Sequence, residues 1–156
     1  EKDTLDDLRA LIRKIREQNK PVFEEVKSKI EAAFRRIDGE DPVIYISLCF
    51  EEVIKEVGRG TNWSAFAAMF CCPEIFKEAL PRFAEEETLL TSMEICLSGY
   101  AYDHFHLYIR NGRGGFKCMN RYLQYISQKP SEPLTVKVTT LLCATVILYF
   151  MYKIMK

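Results

Sequence analysis

The chain has 156 residues, and its 22 Lys and Arg balance 22 Asp and Glu, for a formal net charge of zero. That balance excludes recognition of nucleic acid by bulk charge, and no basic patch interleaved with aromatics takes its place. With 48 per cent hydrophobic and 28 per cent charged residues, the composition is that of one folded domain able to bury a single core.

The pattern is helical from the start. Leu5, Leu8, Leu11, Ile12 and Ile15 recur at three- and four-residue steps, with Thr4, Asp6 and Asp7 as a start signal. The opening EKDTLDDLRA is charged, which is not the pattern of a secretory leader. Pro21 opens a second helix where proline is tolerated, carrying Val22, Val26, Ile30, Ala33, Phe34 and Ile37 and stopped by Asp38-Gly39 and Pro42. A third runs from Val43 to Val57, with Ile46, Phe50, Val53, Ile54 and Val57 on one stripe, and Gly58-Arg59-Gly60 ends it.

Thr61 or Asn62 caps a fourth helix of a different kind. From Trp63 to Pro73 it has no charge, and a helix apolar on every side belongs in the middle of a domain. Pro73 predicts a kink or a break, and Pro81 an end. A long helical stretch follows from Thr88 to Arg110, then a glycine turn at residues 112–115. A last amphipathic helix carries Phe116, Met119, Tyr122, Leu123 and Ile126. No strand-like alternation is sustained. The expectation is an all-α bundle, six or seven helices around one apolar central helix, occupying residues 1–128.

Pro130 and Pro133 stiffen a linker, residues 129–137, ahead of a tail at residues 138–156. Fifteen uncharged residues run from Val138 to Tyr152, with Lys137 before them and Lys153 and Lys156 after. At about 1.5 Å per residue they reach roughly 22 Å, against roughly 30 Å of hydrocarbon. Lysine stems lying along the lipid make up part of the difference, which suits thinner organelle membranes. Two readings fit the tail: a C-terminal membrane anchor, or a final helix packed into the domain's own groove.

Catalytic and metal motifs are missing: no G-x-S-x-G, no phosphate-binding glycine loop, no H-E-x-x-H. His104 and His106 are two residues apart, so they face different sides of a helix, and Asp103 reads as a surface carboxylate. The expectation is no enzyme, no cofactor and no metal. Cys49, Cys71, Cys72, Cys96, Cys118 and Cys143 lie mostly in apolar runs without a C-x-x-C pair, which predicts buried thiols in a reducing compartment.

Two segments carry a resemblance. Phe50-Glu51-Glu52-Val53-Ile54-Lys55-Glu56-Val57, then Gly58-Arg59-Gly60-Thr61-Asn62-Trp63-Ser64-Ala65-Phe66-Ala67-Ala68-Met69-Phe70, is similar to the first homology segment of the Bcl family of apoptosis regulators. Tyr108-Ile109-Arg110-Asn111 with Gly114-Gly115-Phe116 resembles the second. The order of the segments and the apolar tail behind them extend the likeness over most of the chain.

The resemblance implies a Bcl-like bundle with a hydrophobic groove that receives amphipathic helices of pro-apoptotic relatives, and homo- or heterodimers among its members. It places the chain at the outer mitochondrial or endoplasmic reticulum membrane, domain towards the cytosol, most simply as a pro-survival regulator. The alternatives are a membrane-permeabilising effector of the Bax and Bak type, or a tail-anchored helical adaptor unrelated to apoptosis. Groove residues carried over are Phe50, Val53, Ile54 and Val57, then Asn62, Trp63, Ala65, Phe66, Ala67, Met69 and Phe70. Where the family has an arginine after Asn-Trp-Gly, this chain has Ala65 after Ser64, and Arg59 is the candidate substitute as charge anchor. In the third segment, Phe34-Arg35-Arg36-Ile37-Asp38-Gly39-Glu40, Gly and Asp are exchanged relative to the family.

Overall fold

A computed structural model describes residues 2–35, 42–111 and 115–128. Six α-helices are present among them: α1 (Lys2–Gln18), α2 (Lys20–Phe34), α3 (Val43–Val57), α4 (Trp63–Ala79), α5 (Glu87–Asn111) and α6 (Phe116–Gln128). A short 3-10 turn, Pro81–Phe83, separates α4 from α5, and no strand occurs among the described residues. The all-α expectation holds. The linker and tail, Ile37, and most of the third homology segment lie outside the described residues.

The apolar periodicity decides which face each helix buries. On α1, Leu11 and Ile15 are buried and Leu8 and Ile12 pack at their edge, while Leu5 stays exposed. On α2 the buried stripe is Phe23, Val26, Ile30 and Phe34, one position round from the expected Val22. Asn19 joins these two helices: it is buried, and its Nδ2 donates to the Ile15 carbonyl at 2.9 Å. On α3 the five expected residues are all buried, joined by Tyr45, Cys49 and Glu56.

Helix α4 is the centre. Twelve of its seventeen residues are buried, and it packs against α1, α2, α3 and α5. A helix surrounded in this way has no side on which charge is tolerated, which explains the uncharged Trp63 to Pro73 run. Pro73 neither breaks nor ends it. The helix continues to Ala79, so the missing N–H of Pro73 is accommodated within a helix that its neighbours hold on several sides.

The remaining packing closes the bundle. Helix α5 lies along α3, and α6 along α1. Gln18 Nε2 donates to the Ile126 carbonyl at 2.9 Å, and Asn120 Nδ2 to Asp7 Oδ2 at 3.0 Å, fastening the two ends of the domain together. Gly115, at φ +62°, makes the entry to α6 with a left-handed backbone that a side chain would strain.

Candidate functional site

The start of α4 is built by its cap. Asn62 has an extended backbone, and its side-chain oxygen accepts the N–H of Ala65 at 2.8 Å. This satisfies one of the amides that a helix start leaves without a partner. The next residue, Trp63, is only 4 % exposed. Its ring meets Phe66 at 5.5 Å, Tyr108 of α5 at 5.6 Å and Phe116 of α6 at 6.1 Å between centroids. The hydroxyls of Ser64 and Tyr122 are hydrogen-bonded to each other. The Asn-Trp segment and the aromatic-Ile/Gly-aromatic segment, distant in sequence, therefore meet around one indole. Gly114, part of the second segment, lies outside the described residues.

The residues carried over as groove walls are interior. Phe50, Val53, Ile54 and Val57 of α3 are buried, as are Ala65, Phe66, Ala67 and Met69 of α4. Phe50 makes an edge contact with Phe76 at 5.2 Å, and Phe66 contacts Phe105 at 5.2 Å and Phe70 at 5.1 Å. Phe70 is half-buried and Asn62 exposed. In this closed arrangement a partner helix reaches the apolar side chains only if a surrounding helix moves aside.

Arg59 stands in the turn before α4. Its guanidinium bonds to the Glu56 carboxylate at 2.5 Å, joining a side chain 70 % exposed to one 7 % exposed. The rest of the guanidinium faces solvent, where it can receive a second carboxylate. On the same turn the Tyr100 hydroxyl donates to the Gly58 carbonyl at 3.0 Å. His104 Nε2–H donates to the Arg59 carbonyl at 3.1 Å, a carbonyl being an acceptor only. Burial raises the Tyr100 hydroxyl above its ordinary pKa, partly offset by Lys55 and Arg59. The sequence puts Tyr122 on the apolar stripe of its helix but does not show the hydroxyl contacts of Tyr100 and Tyr122, because a tyrosine fastening two helices has the same local pattern as one facing water.

A groove of about 910 Å³ opens between α3 and α5. Glu51 and Lys55 stand on the α3 side, and the α5 side runs from Glu87 through Ile95 and Gly99 to Asp103. Lys55 is bonded to Glu51 at 2.9 Å, and that hydrogen bond is the main cause raising its pKa. Nothing in the sequence pattern announces this groove, since it forms only where two separately amphipathic helices lie side by side. Among the described residues, no group of three or more His, Cys, Asp or Glu gathers that could hold a metal ion. His104 and His106 each bond a backbone carbonyl instead and stack on Tyr100 and Tyr102.

Comparisons with protein-family models, with curated proteins and with solved structures return no match for this chain. What is defined is the class: an all-α bundle around a buried apolar helix. No helix of the described residues is long and apolar enough to cross a membrane.

Proposed function

We propose that this domain is a Bcl-like regulator of cell death, on the pro-survival side, that captures amphipathic helices of pro-apoptotic relatives. It would act at the outer mitochondrial or endoplasmic reticulum membrane, held there by residues 138–156. One observation carries it: Trp63, opening the central apolar helix after an Asn cap, packs on Tyr108 and Phe116, the aromatics of the second homology segment. Support also comes from the segment order and from the charge-free run of the tail.

Because the groove residues are buried, capture requires a surrounding helix to yield, and the partner's apolar side chains would then replace those of this chain. Arg59 would meet the partner's aspartate in the role that Ala65 cannot fill. Titration of the chain lacking residues 134–156 against a panel of death-ligand helices tests this. At least one should bind with Kd below about 10 μM. Arg59→Ala and removal of the ligand's aspartate should each weaken that complex, and the double change should weaken it no more than either alone. Silence across the panel sinks helix capture, and additive losses reject the Arg59 pairing.

A second reading, a membrane-permeabilising effector, is favoured by the absence of charge from Trp63 to Pro73. Dye release from liposomes by the full chain, with and without a death-ligand helix, separates the two.

A further inference from the structure

We propose that the groove between α3 and α5 is a docking site for a basic amphipathic helix carried by a partner protein. Helix capture is the premise shared with the proposed function; the surface and the partner's charge are new. The α5 wall runs from Glu87 to Asp103. At about 1.5 Å per residue that is about 24 Å, room for four turns of a second helix laid alongside.

The middle of the groove is low and uncharged, with Ile95, Cys96 and Gly99 beside the hydroxyls of Thr91 and Ser92. Ile95 is 69 % exposed, although Leu89 and Met93 of the same helix are buried. At Gly99 an added Cβ would meet nothing within 4 Å. A branched apolar side chain next to an empty glycine surface gives a partner both an anchor and a place for close backbone approach.

The rim is acidic. Glu87 and Asp103 give it its charge, since Lys55 and Glu51 hold each other at 2.9 Å and cancel. Glu87 and Asp103 make no ion pair among the described residues. Carboxylates towards both ends and a neutralised cation between them select a helix flanked by Lys or Arg. They repel an acidic helix or an anionic lipid surface.

The test is a displayed library of four-turn helices, leucine fixed at i, i+4, i+7 and i+11 with free flanks, selected on the full chain. Selected helices should carry an excess of Lys and Arg in the flanks. Gly99→Trp should weaken them at least about tenfold, and Glu87→Lys with Asp103→Lys should turn the preference towards acidic flanks. Gly99→Ala, adding one methyl to open space, should retain binding and a helical circular dichroism spectrum, which separates blocking from misfolding. Helices that bind wild type and Gly99→Trp equally overturn this site and leave helix capture standing. Acid-rich selected flanks overturn the stated partner chemistry. No selected helix at all removes both the site and the premise. Self-association of the full chain that Gly99→Trp abolishes would make the occupant a second copy and overturn the choice of a foreign partner.

Discussion

Tyr100 of α5 and Gly58 at the end of α3 are in contact twice over. The tyrosine hydroxyl donates to the Gly58 carbonyl at 3.0 Å, and the ring edge leaves no room for a side chain on the glycine. A Cβ at Gly58 would stand 3.0 Å from Tyr100 Cε1 and 2.9 Å from the Ile54 carbonyl oxygen. The backbone here is in an ordinary region, φ −91°, so space alone requires the glycine. Gly58→Ala should therefore destabilise the domain by about 1–3 kcal/mol, the range for overpacking. Tyr100→Phe keeps the shape and loses about 1 kcal/mol. Thermal melts of both should fall in that order; an unchanged melting temperature for Gly58→Ala would reject the contact.

Trp63 is the chain's one tryptophan, and it is buried among rings from α4, α5 and α6. Its fluorescence in the folded protein should be blue-shifted and should move to the red on unfolding. In a single cooperative domain that change coincides with loss of helical circular dichroism. Trp63→Ala should cost about 3–5 kcal/mol, a large part of a domain's usual stability. Denaturant titration followed by circular dichroism measures it.

The Asn62 cap has a local test. Asn62→Ala removes the acceptor of the Ala65 N–H and should cost about 1 kcal/mol, whereas Asn62→Asp should be nearly neutral. Equal losses for the two variants would show that the side-chain oxygen is not what matters.

Buried thiols contribute to the response to alkali. Burial pushes Cys49 and Cys71 up from 9.0 to about 12, with a smaller raising effect of Glu52 on Cys49 and an opposing effect of Arg16 on Cys71. Cys72 is raised as well, by burial first. Between pH 9 and 12 the unfolded chain releases these protons and the folded one keeps them, so stability is full below pH 9 and falls as pH rises. Each thiol contributes a slope of up to about 1.4 kcal/mol per pH unit in that window. Denaturation midpoints measured from pH 8 to 11 should decline, and Cys49→Ala should flatten the decline. At pH 8 an alkylating reagent should reach half-buried Cys96 and Cys118 well before these three.

Much of the architecture was legible because helical periodicity is a local property. The stripes on α1 and α3, the stop after Val57 and the charge-free central helix each follow from residues three or four apart. The break that Pro73 allowed does not occur, for a reason outside that range. A proline's cost is local, but the burial that offsets it comes from α1, α2 and α3 packed around α4. The glycine-like openness at Gly99 and the crowding at Gly58 are equally invisible in sequence, since both glycines look alike until neighbouring helices are placed.

The candidate site divides in the same way. The sequence by itself determined that the chain is helical, that one helix must be central, and that Thr61 or Asn62 with Trp63 opens it, because capping and apolar periodicity act within a turn or two. Only the tertiary structure decided that Phe50, Val53, Ile54 and Phe66 are closed into the core, and that solvent instead reaches the seam between α3 and α5. Which side of an apolar helix stays open depends on what lies against it, and that is settled by packing between residues far apart in the chain.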